Sequence, residues 1–537
     1  MSKHKRIHHI IFNLHTVSSI VISVVLYIIF FAGSFSFFRD EIVNWERGHS
    51  TTVKEELSMN VDSAIAHLSR KYELYGRDIS LTHYYNERRV GINLTGSRDS
   101  TASETAKVGA FFYVDTQDQS TTTYFESYTL GEFLYRLHFF AQIPYPYGYL
   151  MSGFVAFFFL FAILTGIIVH WNKIISNFYV FRPMSTLKAL WTDAHTALGL
   201  IGVPFQLVYA LTGAYFMIQG VLAAPYIYAL YQGDEQQFNE EMGNGTVTYP
   251  LTYDSAYLQT PISPLVQQTK AQWQGFKITS IQIANFGDAS MRVKMEGHLP
   301  HQVKMTGHGK VEYVIANGQR EIIKNPLQEA AYFDVVKNLL YRLHLADYAG
   351  LALRVVSFIL GLLSCFVILS GVMIWLVARN KRNIPARQRR FNEGIVHWYL
   401  AICLSMYPMI AGEFLLVKLF SPAGITFLYQ TFFSGWLLLS IFFALVKDNI
   451  FTLRWTLLGG GVLGILSPFF NGIFSGYWLW TSYRENLNDM LLVDMLWIIL
   501  SVISIGTAVK LTESESMVKA TGSYSGNVQE IGKEAGP

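Results

Sequence analysis

Apolar residues gather into eight runs of roughly 20 or more, near 16–38, 148–170, 196–220, 351–378, 395–417, 425–446, 455–475 and 491–509. As helix, each is long enough to cross a hydrocarbon core of about 30 Å. One such run is often a buried helix of a soluble protein; eight in one chain predict a polytopic membrane bundle. Two long polar stretches, 39–147 and 221–349, interrupt the runs with a different pattern. In the first, Val61, Ile65 and Leu68 mark one face of a short helix with Asn60 as its N-cap. Alternating segments follow at 90–94, 111–115 and 121–125. In the second, a helix over 264–273 precedes alternating segments at 278–283, 290–295, 302–305 and 311–315, with Gly307-His308-Gly309 as a hairpin turn. A helix followed by period-2 strands predicts a small α+β domain in each insertion.

Basic residues set the orientation. Lys3, Lys5 and Arg6 precede the first run, and Lys173, Arg182 and Lys188 separate the second from the third. Arg379, Lys381, Arg382, Arg387, Arg389 and Arg390 lie between the fourth and fifth, and Lys447 and Arg454 between the sixth and seventh. The positive-inside rule puts these short loops and both termini in the cytoplasm and both insertions outside. The first run starts like a signal peptide, yet it is too long and no small-residue cleavage site follows Phe38-Arg39-Asp40-Glu41, so it reads as a retained anchor. The expected division is 1–38 for the anchor, 39–147 for the first outer domain, 148–220 for two spans, 221–349 for the second outer domain, 350–424 for two spans, 425–510 for three more and 511–537 for a polar cytoplasmic tail.

Composition narrows the function classes. With 51% hydrophobic and 15% charged residues the chain is no ordinary soluble enzyme; the net charge of +3 adds nothing once the loop asymmetry is known, and no nucleic-acid partner is expected. The only cysteines, Cys365 and Cys403, fall inside predicted spans, which excludes a disulfide framework and a covalent Cys-x-x-Cys-His haem attachment. Neither insertion holds a Gly-rich phosphate loop or a nucleophile elbow.

The chain repeats internally. Leu-Tyr-Arg-Leu-His occurs at Leu134–His138 and again at Leu340–His344, followed about 27 residues later by Thr165-Gly166 and Ser370-Gly371. His15 precedes Gly33, and His195 precedes Gly213, by 18 residues each. That is about five helical turns, so each pair shares a face. Histidine is costly in hydrocarbon, and these four occupy matched places at span ends. If the halves pack as a four-helix bundle about a pseudo-twofold axis, His15 faces His195 on the cytoplasmic side and His138 faces His344 on the outer side. Facing imidazoles are the axial ligands of a b-type haem. Two haems, one near each face, would relay electrons across the bilayer. Gly33 and Gly213 would leave room for the macrocycle, and Arg136, Arg342 and Arg354 would pair with propionates. His170, one turn after Gly166 and without a histidine counterpart, stands with His397 as an alternative or supplementary inner pair. His298 and His301 form a weak metal candidate, since no carboxylate or cysteine joins them at ligand spacing.

The run from Leu14-His15 through Gly33 to Phe38-Arg39-Asp40-Glu41-Ile42, Leu137-His138, Asp193-Ala194-His195 with Gly199, and Leu343-His344 resemble the spans of PepSY-associated transmembrane proteins. The resemblance covers roughly 10–415, and the outer segments look like PepSY domains. It implies an all-α bundle of about eight transmembrane helices with a duplicated core of four and two inserted periplasmic α+β PepSY-like domains, in a bacterial inner membrane. It further implies a haem-dependent reductase of ferric siderophores or other ferric chelates, acting in iron acquisition. Carried over by position, His15, His138, His195 and His344 match the family's span histidines, while His170 and the longer C-terminal region depart from the pattern. No dinucleotide or flavin motif marks the short cytoplasmic loops, so a quinol or a separate reductase must supply electrons. The rival expectations are an iron or chelate transporter and a non-catalytic scaffold.

Overall fold

The computed structural model describes residues 3–49, 56–171, 187–241, 248–255, 257–381 and 383–531. Lys173, Arg182 and Arg382 of the basic loops fall outside them. Among the described residues, eight helices are long and apolar enough to cross a membrane: Arg6–Ser36, Tyr147–His170, Trp191–Tyr231, Gly350–Arg379, Ala386–Leu419, Gly424–Val446, Asn449–Ser475 and Asn488–Thr512. Every predicted run falls on one of them; the helices Arg6–Ser36, Trp191–Tyr231 and Ala386–Leu419 extend well beyond runs 16–38, 196–220 and 395–417 at one end, and the first stops at Ser36 rather than 38. The chain divides into two bodies.

The membrane body comprises residues 1–50, 129–207 and 359–537. It contains α1 (Lys3–Ser36), α2 (Arg39–Arg47), α4 (Leu130–Leu137), α5 (Tyr147–His170), the first part of α6 (Leu187–Tyr231) and the last part of α10 (Gly350–Arg379). It continues with α11 (Ala386–Leu419), α12 (Gly424–Val446), α13 (Asn449–Ser475), α14 (Leu479–Arg484) and α15 (Asn488–Ile531). Phe30 joins α1 to α5 through Phe159 and to α6 through Phe205, with ring centroids 5.4 and 6.4 Å apart. Gly361 of α10 lets Ser34 of α1 approach. Small residues allow such close helix contacts where lipid offers no competing hydrophobic drive.

Helix α2 turns back into this body and buries polar groups that find partners far along the chain. Trp45 Nε1 donates to Asp494 Oδ1 at 2.8 Å, Asn471 Nδ2 donates to Asp494 Oδ2 at 3.0 Å, and Asn44 Nδ2 donates to Asp489 Oδ2 at 2.9 Å. Lys418 donates to the Trp45 carbonyl and stands 4.2 Å over the Trp45 ring. Glu46 accepts from the Leu130 amide at 2.6 Å, which fixes the start of α4. Together α11 and α15 form a socket for α2 at the end of α1, and Asn471 of α13 braces Asp494 of that socket.

The sheet body comprises residues 51–128 and 208–358. It holds α3 (Val61–Ser69), β1 (Ile79–Thr82), β2 (Arg89–Leu94), β3 (Ala110–Asp115), β4 (Thr121–Thr122), the second part of α6, α7 (Glu235–Glu241) and α8 (Ser263–Gln272). Then come β5 (Lys277–Ala284), β6 (Arg292–His298), β7 (His308–Val314), β8 (Gln319–Lys324), α9 (Tyr332–Leu345) and the first part of α10. Both helices expected in the insertions are present, and Asn60 caps α3 by accepting from the Ser63 amide at 3.0 Å.

The strands do not form two separate sheets. They make one antiparallel sheet in the order β4-β3-β2-β1-β5-β6-β7-β8, joined where Ile79 pairs Ile283 and Thr82 pairs Ser280. An unpaired β1 or β5 would leave a row of backbone donors and acceptors at an edge, and the junction satisfies them. One apolar core serves both insertions, with Val61, Leu68, Ile79 and Ile92 from the first and Ile278, Ile283, Met295 and Val311 from the second. Asp62 reaches across to accept from the Ile262 and Ser263 amides at 2.6 and 3.1 Å, capping α8, which has no cap of its own.

Several local expectations are corrected. The segment 302–305 is turn rather than strand, and β1 and β8 occupy segments not assigned as strands from the pattern. His308 opens β7 opposite His298 instead of sitting in a hairpin turn. Gly309 is required inside the strand because a Cβ there would meet the Phe276 ring at 2.7 Å.

Candidate functional site

The four repeat-related histidines are all half-buried, and three of them are held by one recurring contact. His15 on α1 turns Nδ1 to the Ala162 carbonyl of α5 at 2.9 Å, with Thr165 Oγ1 at 3.4 Å. One turn after that carbonyl stands Gly166, where a Cβ would lie 3.1 Å from the ring's Cε1. His195 on α6 repeats the arrangement against α10. Its Nδ1 lies 3.0 Å from the Val367 carbonyl and 3.0 Å from Ser370 Oγ, and a Cβ on Gly371 would meet Cε1 at 3.3 Å. His138, just past α4, uses the same device on α1. Its Nδ1 lies 3.0 Å from the Ile29 carbonyl, and a Cβ on Gly33 would fall 2.6 Å from Nδ1.

His344 on α9 is the variant. Its Nδ1 lies 2.8 Å from Thr212 Oγ1, the residue before Gly213, and the rings of Tyr209 and Phe216 flank it at 5.1 Å each. Thr212 gives its only hydroxyl proton to the Val208 carbonyl at 2.7 Å, so Nδ1–H of His344 donates and Thr212 accepts. In all four seats Nδ1 carries the proton, and the lone pair of the neutral ring is on Nε2. A hydrogen bond from one ring nitrogen to a carbonyl or hydroxyl is how metal-ligating histidines are oriented.

The structure groups these residues unevenly. His15 and His195 lie within electrostatic reach of each other, and His170 at the end of α5 within reach of both. His397 on α11 meets Asn449 of α13, its Nδ1 2.5 Å from Oδ1. His138 belongs to the membrane body and His344 to the sheet body, and each seat is complete within its own body.

At Gly33 the missing side chain leaves room for the His138 ring, whose Nδ1 would lie 2.6 Å from a Cβ there. Arg136 is engaged by Glu132 one turn earlier, Nε to Oε1 at 2.7 Å, and Arg39 reaches the other oxygen at 2.8 Å. Burial pushes the Glu132 carboxyl up, but the two guanidinium groups hold it below its ordinary value. Arg342 pairs with Asp347 and donates to His301 Nε2 at 2.8 Å, and Arg354 is half-buried near the start of α10.

In the sheet body His298 stacks on His301 with centroids 4.5 Å apart, and His308 meets His298 edge-on at 6.2 Å. Burial, then His298 and the cations of Lys324 and Arg342, push His308 down to about 4. Among the described residues no group of three or more His, Cys, Asp or Glu is arranged to hold a metal ion. The carbonyls of Ala162, Val367 and Ile29 had no signature in the sequence, because any residue supplies a carbonyl. Thr165-Gly166 and Ser370-Gly371 did have one, as matched small pairs.

Residues 12–378 match the family model described as the PepSY-associated TM region. No curated protein matches the chain.

Proposed function

The chain belongs to the PepSY-associated TM family, whose model spans all four seated histidines, and from that premise we propose that it is a dihaem electron-transfer protein reducing ferric chelates. The observation that carries this reading is the repeated seat, which presets Nε2 of four span-end histidines for ligation. The donor chemistry fits. Two imidazoles per site, with no cluster for a bare ion among the described residues, suit an iron that brings four equatorial nitrogens of its own.

In this reading His15 and His195 would hold one haem b, and His138 and His344, the pair matched by the repeat, would supply ligands for the other. Haem b supplies one-electron exchange at iron. The protein's part is to fix the imidazole tautomer, to orient each ring through its carbonyl or hydroxyl, and to exclude water with apolar helix faces. The first site lies towards the cytoplasm of a bacterial inner membrane, and the sheet body faces the periplasm, following the basic loops. The chemistry so supplied would be one-electron reduction of a ferric siderophore or similar chelate outside. Reduction to Fe(II) weakens binding by hard oxygen ligands and releases the metal.

An absorbance spectrum of the purified full-length protein tests the proposal. The expected result is a b-type signal that sharpens on reduction, about two haems per chain, and reoxidation by a ferric chelate. Folded, colourless protein would falsify it and favour the scaffold reading.

A further inference from the structure

Two carboxyl groups of the membrane-spanning helices are fully buried, and they are held in opposite ways. Asp494 of α15 has a donor on each oxygen, Trp45 Nε1 at 2.8 Å and Asn471 Nδ2 at 3.0 Å. Glu413 of α11 has no donor on Oε1, and its Oε2 meets Thr431 Oγ1 of α12 at 3.1 Å. Thr431 gives its one hydroxyl proton to the Phe427 carbonyl at 2.9 Å. The proton between Thr431 and Oε2 therefore belongs to Glu413, which is the neutral acid.

Its neighbours agree with that form. Among the described residues Glu413 has no ion pair, and α12 carries no charged side chain. Lys418, just over one turn further along α11, is committed to the Trp45 and Glu46 carbonyls of α2. The Glu46 carboxylate takes the Leu130 amide. An ionised Glu413 would leave a charge with an unsatisfied oxygen out of water, which is far costlier than the acid.

Access to the site is one-sided. One turn before Glu413, Met409 lies so close to α12 that a Cβ on Gly435 would meet its Sδ at 2.6 Å. A further turn back, Ser405 bonds Ser440 across the same contact at 2.9 Å. In the other direction α11 ends six residues on, at Leu419, about 9 Å along the axis. The basic loops put that end outside.

We propose that Glu413 is an intramembrane proton-binding site, which holds one proton as the neutral acid and exchanges it with water at the outer face. The exchange moves a proton between Oε2 and that water and leaves a carboxylate, whose charge must draw water or a donor between α11 and α12. Proton concentration outside is thereby coupled to this helix contact. An ionisable group inside a span is expensive and characteristically serves a proton pathway. Glu413 lies beyond the residues 12–378 matched to the family, and the assignment is independent of the haem reading.

The test treats full-length protein in detergent at neutral pH with dicyclohexylcarbodiimide, which enters apolar surroundings and reacts with a protonated carboxyl. Peptide mass spectrometry maps the adduct, and infrared spectra in ordinary and heavy water follow the acid carbonyl band. Support is an adduct on Glu413, and a band that shifts in heavy water and is lost in Glu413→Gln. Carbodiimide-treated wild type loses the same band, so the assignment stands even if the variant does not fold. A band that stays unshifted would make Glu413 a static structural acid, and absence of both adduct and band would make it ionised; either overturns the proposal. Suppression of the adduct by sodium chloride but not by choline chloride would overturn it too, by making the site one for an alkali cation.

Discussion

An imidazole against a helix needs a carbonyl to receive its proton and a missing side chain to let the ring approach. The seats grade the second requirement. A Cβ would intrude most at Gly33, at 2.6 Å from His138, less at Gly166, at 3.1 Å, and least at Gly371, at 3.3 Å. Gly33→Ala is therefore expected to cost about 1–3 kcal/mol by overpacking and to lower haem content at the outer site. Gly371→Ala should leave the haem-to-protein ratio near wild type. Equal losses in the two variants would show that ring approach is not what these glycines provide. His138→Ala and His344→Ala should each remove one haem and leave the other, as the same ratio reads out. The histidines were legible because their positions repeat and because charge is rare in apolar runs. The acceptors Ile29, Ala162 and Val367 were not, since a backbone group leaves no mark on residue identity.

At the scale of elements, α2 and its socket make a sharp case. Asp494 accepts from Trp45 and Asn471 and is fully buried. Removing it as Asp494→Ala leaves both donors and nearby Lys418 without their carboxylate, at a cost of about 3–5 kcal/mol. Trp45→Phe loses one hydrogen bond and should cost less, about 1–3 kcal/mol; thermal unfolding in detergent compares the two. A charge in a span could be seen in the sequence, but a partner 449 residues away could not.

Asp288 in the sheet body is similar. Burial pushes its carboxyl up, but donors from Ser290 and Thr252, at 2.6 to 3.0 Å, outweigh that and hold it well below its ordinary value. Its unfolded value is about 3.9, so its stabilisation is complete above roughly pH 4 and fades as pH falls through the lower folded value. Asp288→Asn should thus cost about 2 kcal/mol at neutral pH, with the gap to wild type narrowing below about pH 4. A gap that stays constant with pH would show that the charge contributes nothing.

For the whole molecule, eight spans were plain from apolar length alone, because the bilayer sets that length. The common sheet was hidden. Strand β1 has only four residues, Ile79–Thr82, too few for alternation to stand out, and its partner β5 begins 195 positions after β1 ends. The two halves are expected to unfold together. A proline at Ile281, inside the β1–β5 ladder, should reduce hydrogen-exchange protection in β2 and β3 as well as in β6 and β7. Protection lost only in the second half would mean the insertions are stable separately.

The β1–β5 junction also bears on ancestry. Antiparallel pairing of equivalent edge strands is an isologous contact, the kind that a half-length polypeptide makes with its own copy. Such a homodimer would already own the continuous sheet, and with one imidazole of each kind per subunit it would complete both ligand couples only on association. Gene fusion would then have freed each copy to diverge, as His170 and Trp375 have done at corresponding places.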